Sequence, residues 1–410
     1  MAGMTSRRRF LTTGAAGSLW AGRALAAKSE LRYAEIEQKI ALRDFRGIAR
    51  EDLPTPCMIL DLALFEENLR KMAEHSRTTG LKLRPHVKIH KSPDVSRRQM
   101  ALGALGVSCA TIAECELMIQ AGIHGVLLTC QPAGVNKIPR TVACARKDPT
   151  FLCVVDDPLT VDLLEQAAAA ARARVNVAVD VTVGLTRQGA QPGEPSLAIA
   201  QKIARSKNLK LAGLMGYSGA ASHTKGWEKR RQASLEALSA LLSTVELCRK
   251  SGLPVEIVTG GSTGTYNIDP GSLTELQCGS YVFMDTLYRS IGSRDGNAVY
   301  HDFHGALTVM TTVISKTRPN QAAIDAGNKA MLKVTDEVKG RPDMKIENQG
   351  AEYGLLHWQQ GEDCKLGDRV EIYPSNLDTS TNVYDRYYVA RGENIVDVWP
   401  IMGRSGAPQR

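Results

Sequence analysis

The chain of 410 residues is poor in aromatic side chains (5%). It has no uninterrupted apolar run of about 18 residues or more, which excludes a bilayer-spanning helix. It also has no C-x-x-C pair; its nine cysteines are odd in number and lie mostly inside apolar runs. Buried free thiols are expected, rather than a disulfide framework or a zinc site. No period of about 20–50 residues recurs, so solenoids and propellers fall away. Glycine (36) and proline (17) stand near ordinary usage, which excludes collagen-like and low-complexity chains. What is present is 43% hydrophobic and 23% charged, more apolar than a disordered chain. The length allows a barrel-sized core and a second domain.

The net charge of +8 hints at a polyanion partner, but Arg7, Arg8, Arg9 and Arg23 supply half of it from residues 1–26, where no acid occurs. The remaining +4 is too thin for nucleic-acid binding, and none is expected. Ser6-Arg7-Arg8-Arg9-Phe10-Leu11 opens a mildly apolar, Gly- and Ala-rich run to Trp20, and Ala24-Leu25-Ala26 offers a small-x-small cleavage site. This resembles a twin-arginine signal peptide over 1–26. It implies a periplasmic protein starting near Ala27, free of the membrane after cleavage. Residues 27–52 read as an N-terminal extension. Folding in the reducing cytoplasm before export would explain the thiols.

From Leu53 short apolar runs alternate with amphipathic stretches. Strands are expected at Cys57–Asp61, Leu81–Pro85, Val107–Ala110, Val126–Thr129, Phe151–Val155, Val175–Val179, Leu211–Gly216 and Val255–Thr259. Between them, series such as Leu64-Phe65-Asn68-Leu69-Met72 and Leu235-Leu238-Leu241-Leu242-Val245 keep helical spacing. Continuous rather than alternating strands read as covered on both faces. Eight such units predict an α/β fold, a (β/α)8 TIM-type barrel over 53–291; a doubly wound sheet gives the same alternation. Past Gly292 alternating runs and turns predict a C-terminal all-β domain over 292–410.

Two segments carry chemistry. Leu83-Arg84-Pro85-His86-Val87-Lys88-Ile89-His90-Lys91 ends the second strand, on the catalytic face of a barrel. So many cations suit a site better than a core, although a basic surface turn reads the same way. A lysine among them is expected to be pushed toward its neutral form, as covalent catalysis requires. Thr259-Gly260-Gly261-Ser262-Thr263-Gly264-Thr265 follows the last strand and can cradle a phosphate with backbone N–H groups and hydroxyls. It lacks the lysine of a P-loop. Lysine and cradle together suggest pyridoxal phosphate. By contrast, Lys225–Arg231 reads as the solvated start of a helix, and His301 and His304 as bland.

Thr55-Pro56-Cys57-Met58-Ile59-Leu60-Asp61, the Lys88 segment, Ala110-Thr111-Ile112-Ala113-Glu114 and Asp180-Val181 form an ordered set with Gly184-Leu185-Thr186-Arg187 and Gly216-Tyr217-Ser218-Gly219. It continues through the Gly260 loop, Gln277-Cys278-Gly279-Ser280-Tyr281-Val282-Phe283-Met284-Asp285, Asp325-Ala326-Gly327 and Gly367-Asp368-Arg369-Val370. From Leu53 onward the chain resembles the D-threonine aldolase and D-threo-3-hydroxyaspartate dehydratase family, alanine-racemase-like enzymes of fold type III. The resemblance implies a homodimeric pyridoxal-phosphate enzyme acting on a small amino acid. Lys88 would bind the cofactor and Arg187 lie near its phenolate oxygen. Gly261, Ser262, Thr263 and Gly264 would hold its phosphate, with Tyr281 close by. Tyr217 and His223 fall where the family places a tyrosine and a catalytic histidine, and an imidazole suits removal of a β-hydroxyl proton.

One departure stands out. The family holds a divalent ion with a histidine and, two residues on, an Asp or Cys. Asn376 and Asp378 occupy those places here, and Tyr353 stands where a second family histidine is expected. Mg²⁺ or Mn²⁺ held by Asp378 and the Asn376 carbonyl, direct hydrogen bonds to the substrate, and a reaction needing no metal all remain open. The expected activity is cleavage of a D-threonine-like β-hydroxy-D-amino acid to glycine and an aldehyde. Dehydration and racemisation are the enzymatic alternatives. A non-catalytic pyridoxal-phosphate-binding protein is the other class, and a carrier needs no base.

Overall fold

The computed structural model describes residues 32–268, 271–331 and 337–404. The signal-like segment 1–26 lies outside them. The described strands, β1 to β16 in chain order, form two eight-stranded sheets. The first is the barrel: β2 (Lys82–Leu83), β3 (Ser108–Cys109), β4 (Leu127–Leu128), β5 (Leu152–Val155), β6 (Val175–Asp180), β7 (Leu209–Gly216), β8 (Ile257–Gly260) and β9 (Glu275–Leu276). They lie in the order β2-β9-β8-β7-β6-β5-β4-β3 with parallel pairing. A parallel bridge from His86 to Ser108 brings the two ends together. Leu127, Leu152, Val154, Ala178, Ala212 and Met215 pack into one buried cluster. Outward residues such as Cys153, Val155, Val177 and Val179 pack in the main core with helix residues such as Leu164 and Ile203. The strands are thus covered on both faces, which is why they read as continuous apolar runs.

The second sheet contains β1 (Cys57–Asp61), β10 (Leu307–Arg318), β11 (Gln321–Ile324), β12 (Lys345–Asn348), β13 (Gly354–His357), β14 (Arg369–Ile372), β15 (Arg386–Arg391) and β16 (Asn394–Pro400). Its order is β12-β13-β11-β10-β1-β15-β16, with β14 also on β10. The expectation that Cys57–Asp61 opens the barrel is therefore corrected: it pairs antiparallel with β10 and parallel with β15. Met58 and Leu60 join the main core, while Cys57 and Ile59 pack in a separate cluster with Ile36, Met310 and Tyr388. A strand buried on both faces has the same apolar run whichever sheet it joins. The barrel is completed instead by β9, two residues with no apolar run to announce them. Arg84 donates Nε and Nη2 to Glu275 at 2.8 and 2.9 Å, a buried fork that ties β2 to β9.

All nine cysteines are free, eight of them buried. No described helix is long and apolar enough to cross a membrane.

Candidate active site

The C-terminal ends of the barrel strands open on a cavity of about 300 Å³, whose lining includes Lys88, Asp180, Arg187, Tyr217, His223, Ser262, Thr263, Asn376 and Asp378. The first reason is local. Buried Val87 and Ile89 anchor the turn Val87–Ile89 on either side, leaving Lys88 facing the cavity, and the His86 Nδ1 accepts from the Lys88 N–H at 3.3 Å. Lys88 Nζ stands 3.1 Å from Asp378 Oδ2. Burial pulls the ammonium pKa down, but Asp378 and Tyr217 outweigh it, and the net direction is up. The expectation of a lysine driven neutral by its cationic neighbours is corrected, because a carboxylate contributed by the β domain pairs with it. The neighbouring Lys91 is the lysine that is lowered: burial brings it to about 8 against the opposing pull of Asp378 and Glu114. Its ammonium donates to the Lys88 carbonyl (2.5 Å), the Asp378 carbonyl (2.8 Å) and the Thr381 hydroxyl (2.9 Å).

Tyr217 follows β7, with its ring 6.0 Å from Lys88 Nζ and 5.8 Å from the Arg187 guanidinium carbon. His223 packs its ring 4.5 Å from that of Tyr288, and its buried Nδ1 has no partner. Burial lowers its pKa, and Lys88 lowers it further against the pull of Asp378, which favours the uncharged imidazole. Asn376 caps the short helix Leu377–Ser380, its Oδ1 accepting from the Thr379 N–H at 3.2 Å. Asp378 Oδ1 is buried without a partner.

The glycine-rich loop after β8 fits a phosphate. Gly261 has φ +70°, which glycine adopts without strain, and a Cβ on Gly264 would run into the Ser222 carbonyl. Ser262 and Thr263 face the cavity. Tyr281 lies behind the loop: its N–H donates to the Thr263 hydroxyl at 3.0 Å, and it is absent from the cavity lining. Tyr300 OH donates to the Thr263 carbonyl at 2.8 Å. Lysine, arginine, hydroxyls and cradle together match what pyridoxal phosphate requires.

Sequence reasoning missed several residues here. Arg230, assigned to a solvated helix start, is fully buried and donates to the carbonyls of Gly264, Thr224, Ile291 and Gly292 at 2.7–3.1 Å. Asp285 accepts from the N–H groups of Tyr288 (3.0 Å) and Leu377 (3.1 Å), docking the Asn376 turn onto the barrel. Burial raises its carboxyl to about 7 despite those bonds. Asp180, raised by burial to about 7, accepts from Gln188 (2.8 Å) and Gln131 (3.0 Å). An acid ending an otherwise apolar strand on the catalytic face was the available signal for Asp180. His301 and His304 stay outside the cavity, beside Asp295 and Glu67. Tyr353 is 51% exposed and also outside it.

Fold and site together define a pyridoxal-phosphate barrel enzyme with a C-terminal β domain. The family model "Alanine racemase, N-terminal domain" matches residues 60–287, and a serine dehydratase domain matches 306–390. The chain is 33% identical to a 3-hydroxy-D-aspartate aldolase of Paracoccus denitrificans (strain Pd 1222), with 87% of this chain and 94% of the relative aligned. Identity and coverage are the same for a D-threonine aldolase of Arthrobacter sp.. The crystal structure of D-threonine aldolase from Filomicrobium marinum superposes with a TM-score of 0.84 at 34% identity, covering 87% of this chain and 98% of that one. The chain belongs to the D-threonine aldolase group of the alanine-racemase-like family.

Proposed function

We propose that this protein is a pyridoxal-phosphate-dependent lyase that cleaves a β-hydroxy-D-amino acid of the D-threonine type to glycine and an aldehyde. The observation that carries the reading is a buried, unpartnered His223 Nδ1 in the same cavity as Lys88 and the phosphate cradle. Lys88 would hold the cofactor covalently, Arg187 would lie near its phenolate oxygen, and Gly261–Gly264 would hold its phosphate. When bound, pyridoxal phosphate supplies an electron sink for the pair left on Cα.

The protein's own part is to move one proton and keep water out. His223 takes the proton of the β-hydroxyl, the oxygen forms a carbonyl, the Cα–Cβ bond opens with its electron pair retained by Cα, and Cα takes up one proton in return to give glycine. The Tyr217 ring stands within 6.0 Å of the Lys88 nitrogen and 5.8 Å of the Arg187 guanidinium carbon, an electron-rich face toward both cations. Leu185, Leu287 and Tyr288 line the wall and exclude water.

Incubation of the holoenzyme with D-threonine tests this reading. Glycine and acetaldehyde in equal amounts are expected; 2-oxobutanoate with ammonia would make it a dehydratase, and L-allo-threonine, inverted at Cα alone, a racemase. The sequence also supports export of the chain to the periplasm on its 1–26 segment, and the resemblance supports a homodimer. Fractionation and light scattering of the mature chain test these two proposals.

A further inference from the structure

We infer that the β-hydroxyl is gripped directly by His223 and Asp378, with no divalent ion between protein and substrate. The inference rests on the aldolase reading above and concerns the place where the resemblance puts an ion, at Asn376 and Asp378.

The donors there are already committed. Asn376 Oδ1 accepts from the N–H of Thr379 and lies 3.4 Å from its hydroxyl, so turning it toward an ion would uncap the helix Leu377–Ser380. Asp378 gives its backbone carbonyl to Lys91, and its Oδ2 lies 3.1 Å from the Lys88 nitrogen that would carry the cofactor. The nearby Asp285 carboxyl is spent on two backbone N–H groups. Among the described residues no group of three or more His, Cys, Asp or Glu side chains is placed to hold a metal ion. A hard divalent cation takes about six oxygen ligands or more, and a structural zinc about four. The turn cannot swing to find more, because Lys91, Asp285 and the N–H groups of Thr286 and Leu287 all fasten it to the barrel.

What the cavity does offer is two buried polar atoms without partners, His223 Nδ1 and Asp378 Oδ1. Such atoms are rare in a folded protein and point to a group that arrives with the ligand. The β-hydroxyl supplies it. His223 Nδ1 accepts the hydroxyl proton and becomes cationic, and the Asp378 carboxylate faces the charge that forms. An ion would make the hydroxyl a stronger acid; Asp378 makes the imidazole a stronger base. The proton count is the same.

The test uses the holoenzyme dialysed against EDTA. Ion content is read by mass spectrometry, Mn²⁺ binding by calorimetry, and D-threonine cleavage before and after dialysis. The expected result is no stoichiometric ion, no saturable Mn²⁺ heat and a cleavage rate unchanged to within about twofold. A stoichiometric ion whose removal stops cleavage, and whose return restores it, overturns the inference but leaves the aldolase reading standing. No cleavage in any arm, with or without Mn²⁺, overturns the aldolase reading and this inference with it.

Discussion

Lys88 and His223 divide the chemistry at the scale of single residues, and each has its own signature. Replacing Lys88 with Ala should abolish the visible absorbance of the bound cofactor, and an unchanged band in the purified variant would contradict the covalent assignment. His223→Asn should keep that band and lower kcat for cleavage by about 10²–10⁴, the range of a lost general base. The lysine among histidines was legible in the sequence; His223 came only with the family resemblance, since Ser222, Thr224 and Lys225 around it suit a surface loop equally well. Charge state was not legible. Lys88 and Lys91 stand three residues apart with similar neighbours in sequence, yet one pKa rises and the other falls to about 8. Asp378, from far along the chain, raises both, but only Lys88 meets its carboxylate directly, at 3.1 Å, while burial prevails at Lys91.

Elements are where the site is held together. The fork from Arg84 to Glu275 is buried on both sides, at 6% and 4% side-chain exposure. Glu275→Gln would leave a guanidinium without its counter-charge and should cost about 3–5 kcal/mol in chemical denaturation. Arg230 ties the Gly264 carbonyl of the phosphate loop to the carbonyls of Thr224, Ile291 and Gly292. Arg230→Met should leave buried acceptors unpaired, at about 1–3 kcal/mol each. It should weaken pyridoxal phosphate binding about tenfold or more, measured by fluorescence titration. Asp285 gives a pH dependence with a definite sign. Its folded pKa of about 7 lies above the ordinary 3.8, so the folded state keeps a proton that the unfolded chain releases. The stability this contributes is full below about pH 4 and lost as pH rises through about 7. Asp285→Asn should flatten the fall in Tm over that window, read by calorimetry. The strands and long helices were legible because their periodicity is local. The closing strand β9 was not, since two residues carry no period and their pairing is imposed by β2 and β8. Arg230 was misread for the same reason, because its partners lie in loops distant in sequence.

Seen whole, the chain starts its second sheet before its first. Strand β1 belongs with β10 and β15, so the barrel is threaded between two parts of one β domain. That arrangement brings Asn376 and Asp378 over the mouth of the barrel, where Lys91 and Asp285 fasten them. The order barrel then β domain was legible from the change of texture near Gly292; the shared strand was not, because burial on both faces erases the distinction. The reaction placed at this junction is a carbon–carbon cleavage, and product identification from D-3-phenylserine is its sharpest test. Benzaldehyde and glycine in equal amounts are expected, released from the D but not the L enantiomer. Phenylpyruvate with ammonia, or an inverted amino acid with no benzaldehyde, would contradict it.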